Sequence, residues 1–512
     1  MKVRLMHRDR DIDLERPLPA TAAAVSADLE LGVMLDALAG GDSYLRQLAE
    51  RALLLGLETR EEIVYRQDVL DDCLRLPEVA RHLYVLAVEG VETKQKARFF
   101  WFGDSPDTML RKSLSMLELL TEVLEQVRAL ADEHGGDFRS EGFTRLFAAL
   151  REELDDDYLA LVREHLSTLE FRDGVLLAAE LGQGNRGANY VLRRADRGLL
   201  GRLAPDWASG SSFAVARDEH SGRALSELRD RGIALVASAL AQSTDHILAF
   251  FGVLRAELGF YIACLNLHER LAELQAPPVC RPDPRPAEEA ALSGLGIYDV
   301  SLALHLGSQM VGSDLDADGK TFVVITGANE GGKSTFLRAL GLTQLMLQAG
   351  MFVPAQELRA SVRSGVFTHF KREEDAGMRS GKLDDELQRM SEIAEAIRPY
   401  GLLLCNESFA STNEAEGSEI ARQLVRALVE ADIRVAYVTH MYELAHGVHA
   451  EKGESALFLR AERLPDGTRT FRMIPGEPKP TSHGIDSYRR IFGKPPRPRG
   501  TAAQPSTSSG ST

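Results

Sequence analysis

Cysteine is scarce in this 512-residue chain, and the four present (Cys73, Cys264, Cys280 and Cys405) stand far apart with no Cys-x-x-Cys spacing. That argues against a disulfide framework and a zinc knuckle, and it predicts a reducing, cytoplasmic setting. Long uncharged apolar runs are missing too. The N-terminus, MKVRLMHRDRDIDLERPLP, lacks the apolar centre of an export signal, and the most apolar stretch, Ile247 to Leu267, is broken by Arg255 and Glu257. Neither a membrane span nor export is expected. Positive charge is in deficit: 60 Lys and Arg against 76 Asp and Glu leave a formal charge of −16. Because phosphate contacts need clustered Lys and Arg, this disfavours a chain-wide coat for nucleic acid and leaves room only for local contacts.

What is there divides into regions of different texture. After an N-terminal segment, 1–27, residues 28–276 read as a mostly α-helical region. From Arg111 to Leu130, for example, Leu114, Met116, Leu117, Leu120, Val123, Leu124 and Val127 fall mostly at three- and four-residue steps. Asp155–Asp157 reads as a solvated acidic run. Around 171–211 the helical pattern gives way to a Gly-rich insert, GVLLAAELGQGNRGANYVLRR, suggesting a β-hairpin or an irregular segment, with Arg186, Arg193, Arg194, Arg197 and Arg202 clustered there. Helical periodicity resumes from about Arg223 to Leu274. Five prolines in the ten positions 277–286 mark a linker. Residues 287–493 alternate short apolar strands with helical segments, the pattern of an α/β domain around a largely parallel sheet. The Pro/Ser/Thr-rich tail, 494–512, is expected to be disordered.

Three elements of the α/β region carry chemistry. Thr321–Thr326 (TFVVIT) runs into Gly327-Ala328-Asn329-Glu330-Gly331-Gly332-Lys333-Ser334 and a helical FLRALGLTQLMLQAG, which is GxxxxGK[ST] in its strand–loop–helix context. Gly327, Gly331 and Gly332 let backbone N–H groups turn toward phosphates, and the helix N-terminus adds its positive end. Lys333 is placed to reach the β/γ-phosphates of ATP and Ser334 to bind Mg²⁺, with Thr335 beside them. The second element, Gly401 to Glu407, is an apolar strand ending in two polar residues: Asn406 where a metal-supporting acid is usual, then Glu407, a carboxylate able to polarise water. The third, Arg434–Thr439, ends at His440. Alone, a histidine at a strand end reads as structural; after the other two elements it reads as a sensor of the γ-phosphate or the attacking water.

Together, ITGANEGGKSTFLR, FVPAQ at 352–356, NESFASTNEAEGSEIA and VTHMYELA resemble the ATPase domain of the MutS family over roughly 297–493. The helices and Gly/Arg-rich interruption within 40–275 resemble that family's core, lever and clamp regions. The resemblance implies a P-loop (ABC-type) ATPase domain, ATP and Mg²⁺ as cofactors, and a head-to-head homodimer with composite sites. By position, Asn329 matches the family's loop asparagine, Lys333 and Ser334 its phosphate and metal residues, Glu407 its catalytic acid and His440 its switch histidine. Ser411-Thr412-Asn413 matches the loop at the dimer interface, and Met310 falls about where a residue meets adenine. Two departures stand out. The family's metal-supporting aspartate is Asn406 here, and the serine that reaches the partner's nucleotide falls at Gly381, or at Ser380 after a one-residue slip.

The family's mismatch readers insert a wedge from a Phe-x-Glu motif, and no Phe-x-Glu occurs in this sequence. The short N-terminal segment and the tail also leave no evident space for a mismatch-reading or Smr domain. Candidate nucleic-acid contacts are the arginines at 186, 193, 194 and 197, and the stretch from Lys94 to Phe102, which interleaves cationic and aromatic residues but reads more naturally as core. The expected function is therefore a dimeric, ATP-driven clamp on double-stranded or branched DNA. An ATPase acting on ribosomes or another ribonucleoprotein is the alternative, and a slow-hydrolysing, ATP-gated interaction protein, favoured by Asn406, is a third.

Overall fold

The structure, a computed structural model, describes residues 1–98, 105–171, 176–183, 187–193, 219–308, 310–328, 330–372, 381–452, 455–464 and 468–478. It divides into two compact units. A helical unit comprises Met1–Pro286, Val300–Gln309 and Leu342–Pro354, and a sheet unit comprises the remainder.

In the helical unit, α1 (Ala22–Asp28), α2 (Leu31–Ala39), α3 (Ser43–Leu55), α4 (Arg60–Arg75), α5 (Pro77–Arg98), α6 (Pro106–His134), α7 (Glu141–Glu153) and α8 (Asp156–Leu169) precede a hairpin of β1 (Leu176–Leu181) and β2 (Gly187–Arg193). Local chemistry sets many of the helix starts. Asp42, Thr59, Ser105, Ser140 and Asp155 each accept a backbone N–H of the first turn, and the Thr59 hydroxyl also donates to the Glu62 carboxylate. Asp155 thus has a structural job at the head of the acidic run. The long helix α9 (Glu219–Glu273) packs against α2, α3, α4, α5 and α6, burying Phe251, Leu254, Leu258, Tyr261 and Leu265. Within Arg229–Glu273 it holds an 18-residue stretch apolar enough by composition to cross a membrane, and 67% of that stretch is buried inside the protein.

Two segments are more firmly held than their sequence suggests. Leu5 and Met6 are buried, and the fully covered Glu257 carboxylate accepts from the N–H groups of Leu5, Met6 and Ile12. The proline-rich stretch 277–286 is laid along α4: Gln67 donates to Pro282 O, Arg60 to Pro284 O, and Arg281 pairs with Asp68 and Asp71. Proline removes an N–H but leaves its carbonyl as an acceptor, so the stretch docks instead of hanging free. It includes β3 (Asp283–Arg285), and α10 (Val300–Leu306) belongs to the same unit.

The sheet unit holds an antiparallel set of β4 (Leu292–Ile297) between β5 (Ser313–Asp316) and β7 (Glu357–Ser361). Its larger sheet contains β6 (Phe322–Thr326), β8 (Val366–Phe370), β9 (Leu402–Asn406), β10 (Arg434–Val438), β11 (Ala456–Arg463) and β12 (Arg469–Pro475) in the order β12-β11-β6-β10-β9-β8. All neighbours are parallel except the β11–β12 edge. Residues 333–341 of α11 (Lys333–Gln348), with α12 (Lys382–Ala396), α13 (Glu414–Glu430) and α14 (Tyr442–Lys452), complete the unit. The core strands β6, β9 and β10 are almost entirely buried, which explains their unbroken apolar runs. The observed classes are a helical N-terminal region and a C-terminal α/β region with mixed sheets.

Candidate functional site

The strand order brings three carboxyl ends together. Val438 of β10 pairs with both Ile325 of β6 and Asn406 of β9, so Thr326, Asn406–Glu407 and Thr439–His440 emerge side by side. Loops leaving adjacent parallel strands at their carboxyl ends are where α/β sheets place their ligands.

From β6 the chain turns through Gly327 at φ 119° and Gly332 at φ 90°, conformations that favour glycine, and enters α11 at Lys333. A Cβ on Gly331 would lie 2.8 Å from Ala461 Cβ and 2.9 Å from Ala328 O, so any side chain there would collide with β11 or with the loop itself. Arg338 on α11 pairs with the buried Asp299 at 2.5 Å, anchoring the helix that begins at this turn.

Lys333 is 5% exposed, and its Nζ donates to Gly327 O and Ala328 O, each at 3.0 Å. Burial pulls its pKa down to about 8, while the Glu407 carboxylate opposes the shift. Ser334 Oγ donates to Asn406 Oδ1 at 2.9 Å, joining the helix start to the end of β9. Glu407, at φ 55°, accepts from His440 Nε2 at 2.8 Å. That hydrogen bond holds the carboxyl below its ordinary pKa against burial, helped by the charges of Lys333 and Lys371.

Of the residues expected from sequence, Gly327, Gly331, Gly332, Lys333, Ser334, Asn406, Glu407 and His440 are therefore gathered at one sheet end, with Thr335 in the first turn of α11. Asn329 and Ser380 lie outside the described residues, and Gly381 is the N-cap position of α12. Ser411 donates to Glu386 at 3.2 Å, and Thr412 donates to Glu416. Arg186, Arg194 and Arg197 lie outside the described residues, as do Phe99–Phe102. Arg193 ends β2.

The residues present fit a nucleotide phosphate with Mg²⁺. The turn is closed to a side chain at Gly331 and shaped by positive φ at Gly327 and Gly332, the ammonium lies against its carbonyls, and Ser334 and Asn406 bring two neutral oxygens together at the helix start. Among the described residues no cluster of three His, Cys, Asp or Glu is placed to hold a metal. Mg²⁺ takes oxygen ligands and completes its shell with phosphates and water.

Sequence reasoning missed several neighbours. Phe471 of β12 is 52% exposed at φ 62°, and a Cβ on Gly332 would lie 3.7 Å from its Cβ. Arg469 pairs with Glu330 at 2.5 Å. Lys371 N donates to Asn406 O at 3.0 Å. Only the aromatic next to a basic residue in TRTFR offered any local signal.

Two family models match the chain: one described as the MutS2 N-terminal domain, over residues 58–274, and one described as MutS domain V, over residues 323–496. A DNA mismatch repair protein MutS from a Thermotoga species is 34% identical over 180 residues, and one from Shouchella clausii is 24% identical over 453 residues, 79% of this chain. The chain belongs to the MutS family. Human MutS protein homolog 4 is 30% identical over 129 residues, 25% of this chain and 14% of that protein. The Thermotoga match covers 35% of this chain and 22% of the relative's length, and the Shouchella match covers 50% of the relative's length. The MutS domain V match spans the glycine turn's helix, Asn406–Glu407 and His440.

Proposed function

We propose that this MutS-family chain is a P-loop ATPase that dimerises through its ATPase domains and acts as an ATP-driven clamp on double-stranded or branched DNA, without reading mismatches. The carrying observation is the convergence of Lys333, Ser334, Asn406, Glu407 and His440 at the ends of β6, β9 and β10. In this reading Gly327 to Lys333 wrap the phosphates, Lys333 turns from the loop carbonyls to neutralise their charge, and Ser334 with Asn406 holds Mg²⁺, which supplies charge neutralisation on the transferred phosphoryl group. Glu407, kept ionised and oriented by His440, takes the proton of the attacking water. Phe471 offers an exposed ring beside the turn for the base. The free and largely buried cysteines agree with a cytoplasmic site of action.

DNA as the substrate is supported by the names of the relatives. The test is binding of ATP-loaded Glu407→Gln to matched, mismatched and four-way duplexes at two salt concentrations. A steep fall with salt, with matched and mismatched duplexes within about tenfold, or about 1.4 kcal/mol, is expected. A flat DNA response with co-sedimentation on ribosomes would replace the DNA reading with the ribonucleoprotein one. A second reading, a slow-hydrolysing gate, is favoured by Asn406: an amide stands where Ser334 makes its hydrogen bond, so no acid of β9 supports the metal.

A further inference from the structure

Between Glu407 and the 411–413 loop the backbone makes a bend that its residue types disfavour. Glu407 and Phe409 stand at φ 55° and 61°, and neither is glycine. Such conformations cost about 1 kcal/mol or more each and persist only where the surroundings over-determine them. Here they are held from three elements. From β10, Val438 O accepts the Glu407 N–H at 2.9 Å, and Tyr437 donates its hydroxyl to Ser408 O at 2.6 Å. From β8, the His369 ring stacks on Phe409 with centroids 5.5 Å apart, and its Nδ1 lies 2.6 Å from Ser408 Oγ. From α12 comes Glu386, 5% exposed, whose carboxylate accepts from the Phe409 N–H and from Ser411 Oγ at 3.2 Å, while its backbone carbonyl accepts from His369 Nε2 at 3.0 Å.

A buried carboxylate is an expensive choice for a helix face that a leucine would fill, since its desolvation must be offset by donors. Burial is the largest influence on this group and raises its pKa, while the donors in the bend and the charges of Arg389 and Lys371 favour ionisation. Its hydrogen bonds join α12 to the bend that follows Glu407 in the chain.

We propose that Glu386 is a positioning residue for hydrolysis: by clamping the Phe409 N–H and the Ser411 hydroxyl, it fixes the bend that presents the Glu407 carboxylate. This rests on the reading that the site hydrolyses nucleotide. The hydrogen bonds of Glu386 go to the bend and to His369, not to the glycine turn, Lys333, Ser334 or Asn406, so its loss acts on turnover and leaves this chain's own hold on the nucleotide alone. Glutamine keeps one acceptor oxygen and retains most of the effect.

The experiment compares steady-state ATPase and binding of a fluorescent ATP analogue for the full chain as wild type, Glu386→Ala, Glu386→Gln, Ser411→Ala and Glu407→Gln. Expected are a kcat loss of about tenfold or more for Glu386→Ala with Kd within about twofold, about threefold loss for Ser411→Ala, and near wild-type turnover for Glu386→Gln. Unchanged kcat in a folded Glu386→Ala overturns the role, as does a parallel loss of kcat and affinity in both Glu386 variants. If Glu386→Ala does not fold, Glu386→Gln and Ser411→Ala decide: near wild-type turnover in the first with a kcat-only loss in the second supports the role, and any other pair of results overturns it. A wild type whose turnover does not depend on Glu407 overturns the hydrolysis reading and the positioning role with it. Glu407-dependent turnover that Glu386→Ala leaves intact overturns the positioning role alone.

Discussion

Asn406→Asp adds one negative charge at the point where the site departs from its family and leaves the shape of the side chain unchanged. Asn406 Oδ1 already accepts from Ser334 Oγ at 2.9 Å, and an aspartate retains that bond while placing a carboxylate beside the proposed metal position. Charged groups supporting a metal's ligands change affinity or activity by about ten- to a hundredfold, which corresponds to about 1.4 to 2.7 kcal/mol. The opposing effect is repulsion of Glu407. Two carboxylates on adjacent residues repel each other, and that repulsion raises the pKa of Glu407. Glu407 starts below its ordinary value because His440 hydrogen-bonds it, and a metal ion between the two carboxylates would screen their repulsion. The metal effect therefore wins. In a Mg²⁺ titration of steady-state ATPase, Asn406→Asp is expected to lower the Mg²⁺ needed for half-maximal rate by about tenfold and to raise the rate, while Glu407→Gln abolishes turnover at every Mg²⁺ concentration. If Asn406→Asp leaves both midpoint and rate unchanged, Asn406 is not at the metal, and the role assigned to the end of β9 is wrong.

Lys333→Ala should weaken ATP binding by about tenfold or more in calorimetry. Because the wild-type ammonium has a pKa near 8 and phosphate binds its protonated form, wild-type affinity should also fall as pH rises from about 7.5 to 9.5. A variant with the same affinity and the same pH slope as wild type would remove Lys333 from the site. Glu407→Gln should shift from monomer to dimer on adding ATP, read by light scattering at micromolar protein; a strict monomer under both conditions would sink the composite-site model. In the helical unit, Glu257→Gln replaces one of the two carboxylate oxygens, one accepting from Leu5 and Met6 N–H and the other from Ile12 N–H, with an amide N–H₂. Unsatisfied buried donors cost about 1–3 kcal/mol each, so its thermal unfolding should begin several degrees lower. An unchanged midpoint would show that those donors find water instead.

The sequence carries local patterns, and the structure shows where they stop being informative. Strands β6, β9 and β10 were legible because a parallel strand covered on both faces must be apolar at consecutive positions, and each ends in the polar residues that meet at the site. The glycine turn was legible because φ values of 119° and 90° demand glycine at 327 and 332. Contacts between polar atoms far apart in the chain leave no such imprint. MKVRLMHRDR looks like a polar leader, yet Leu5 and Met6 are core residues whose N–H groups are satisfied by a carboxylate 252 and 251 positions away. Ser411 resembles a residue that faces a second subunit, and in this chain its hydroxyl is already bonded to Glu386. A composite site would then require that bond to be shared or exchanged, because a hydroxyl donates only one hydrogen while keeping lone pairs to accept with. On that chemistry, Ser411 can hold Glu386 and still accept from a donor on a partner. Donating to a partner's phosphate, however, would release Glu386 and loosen the bend behind Glu407.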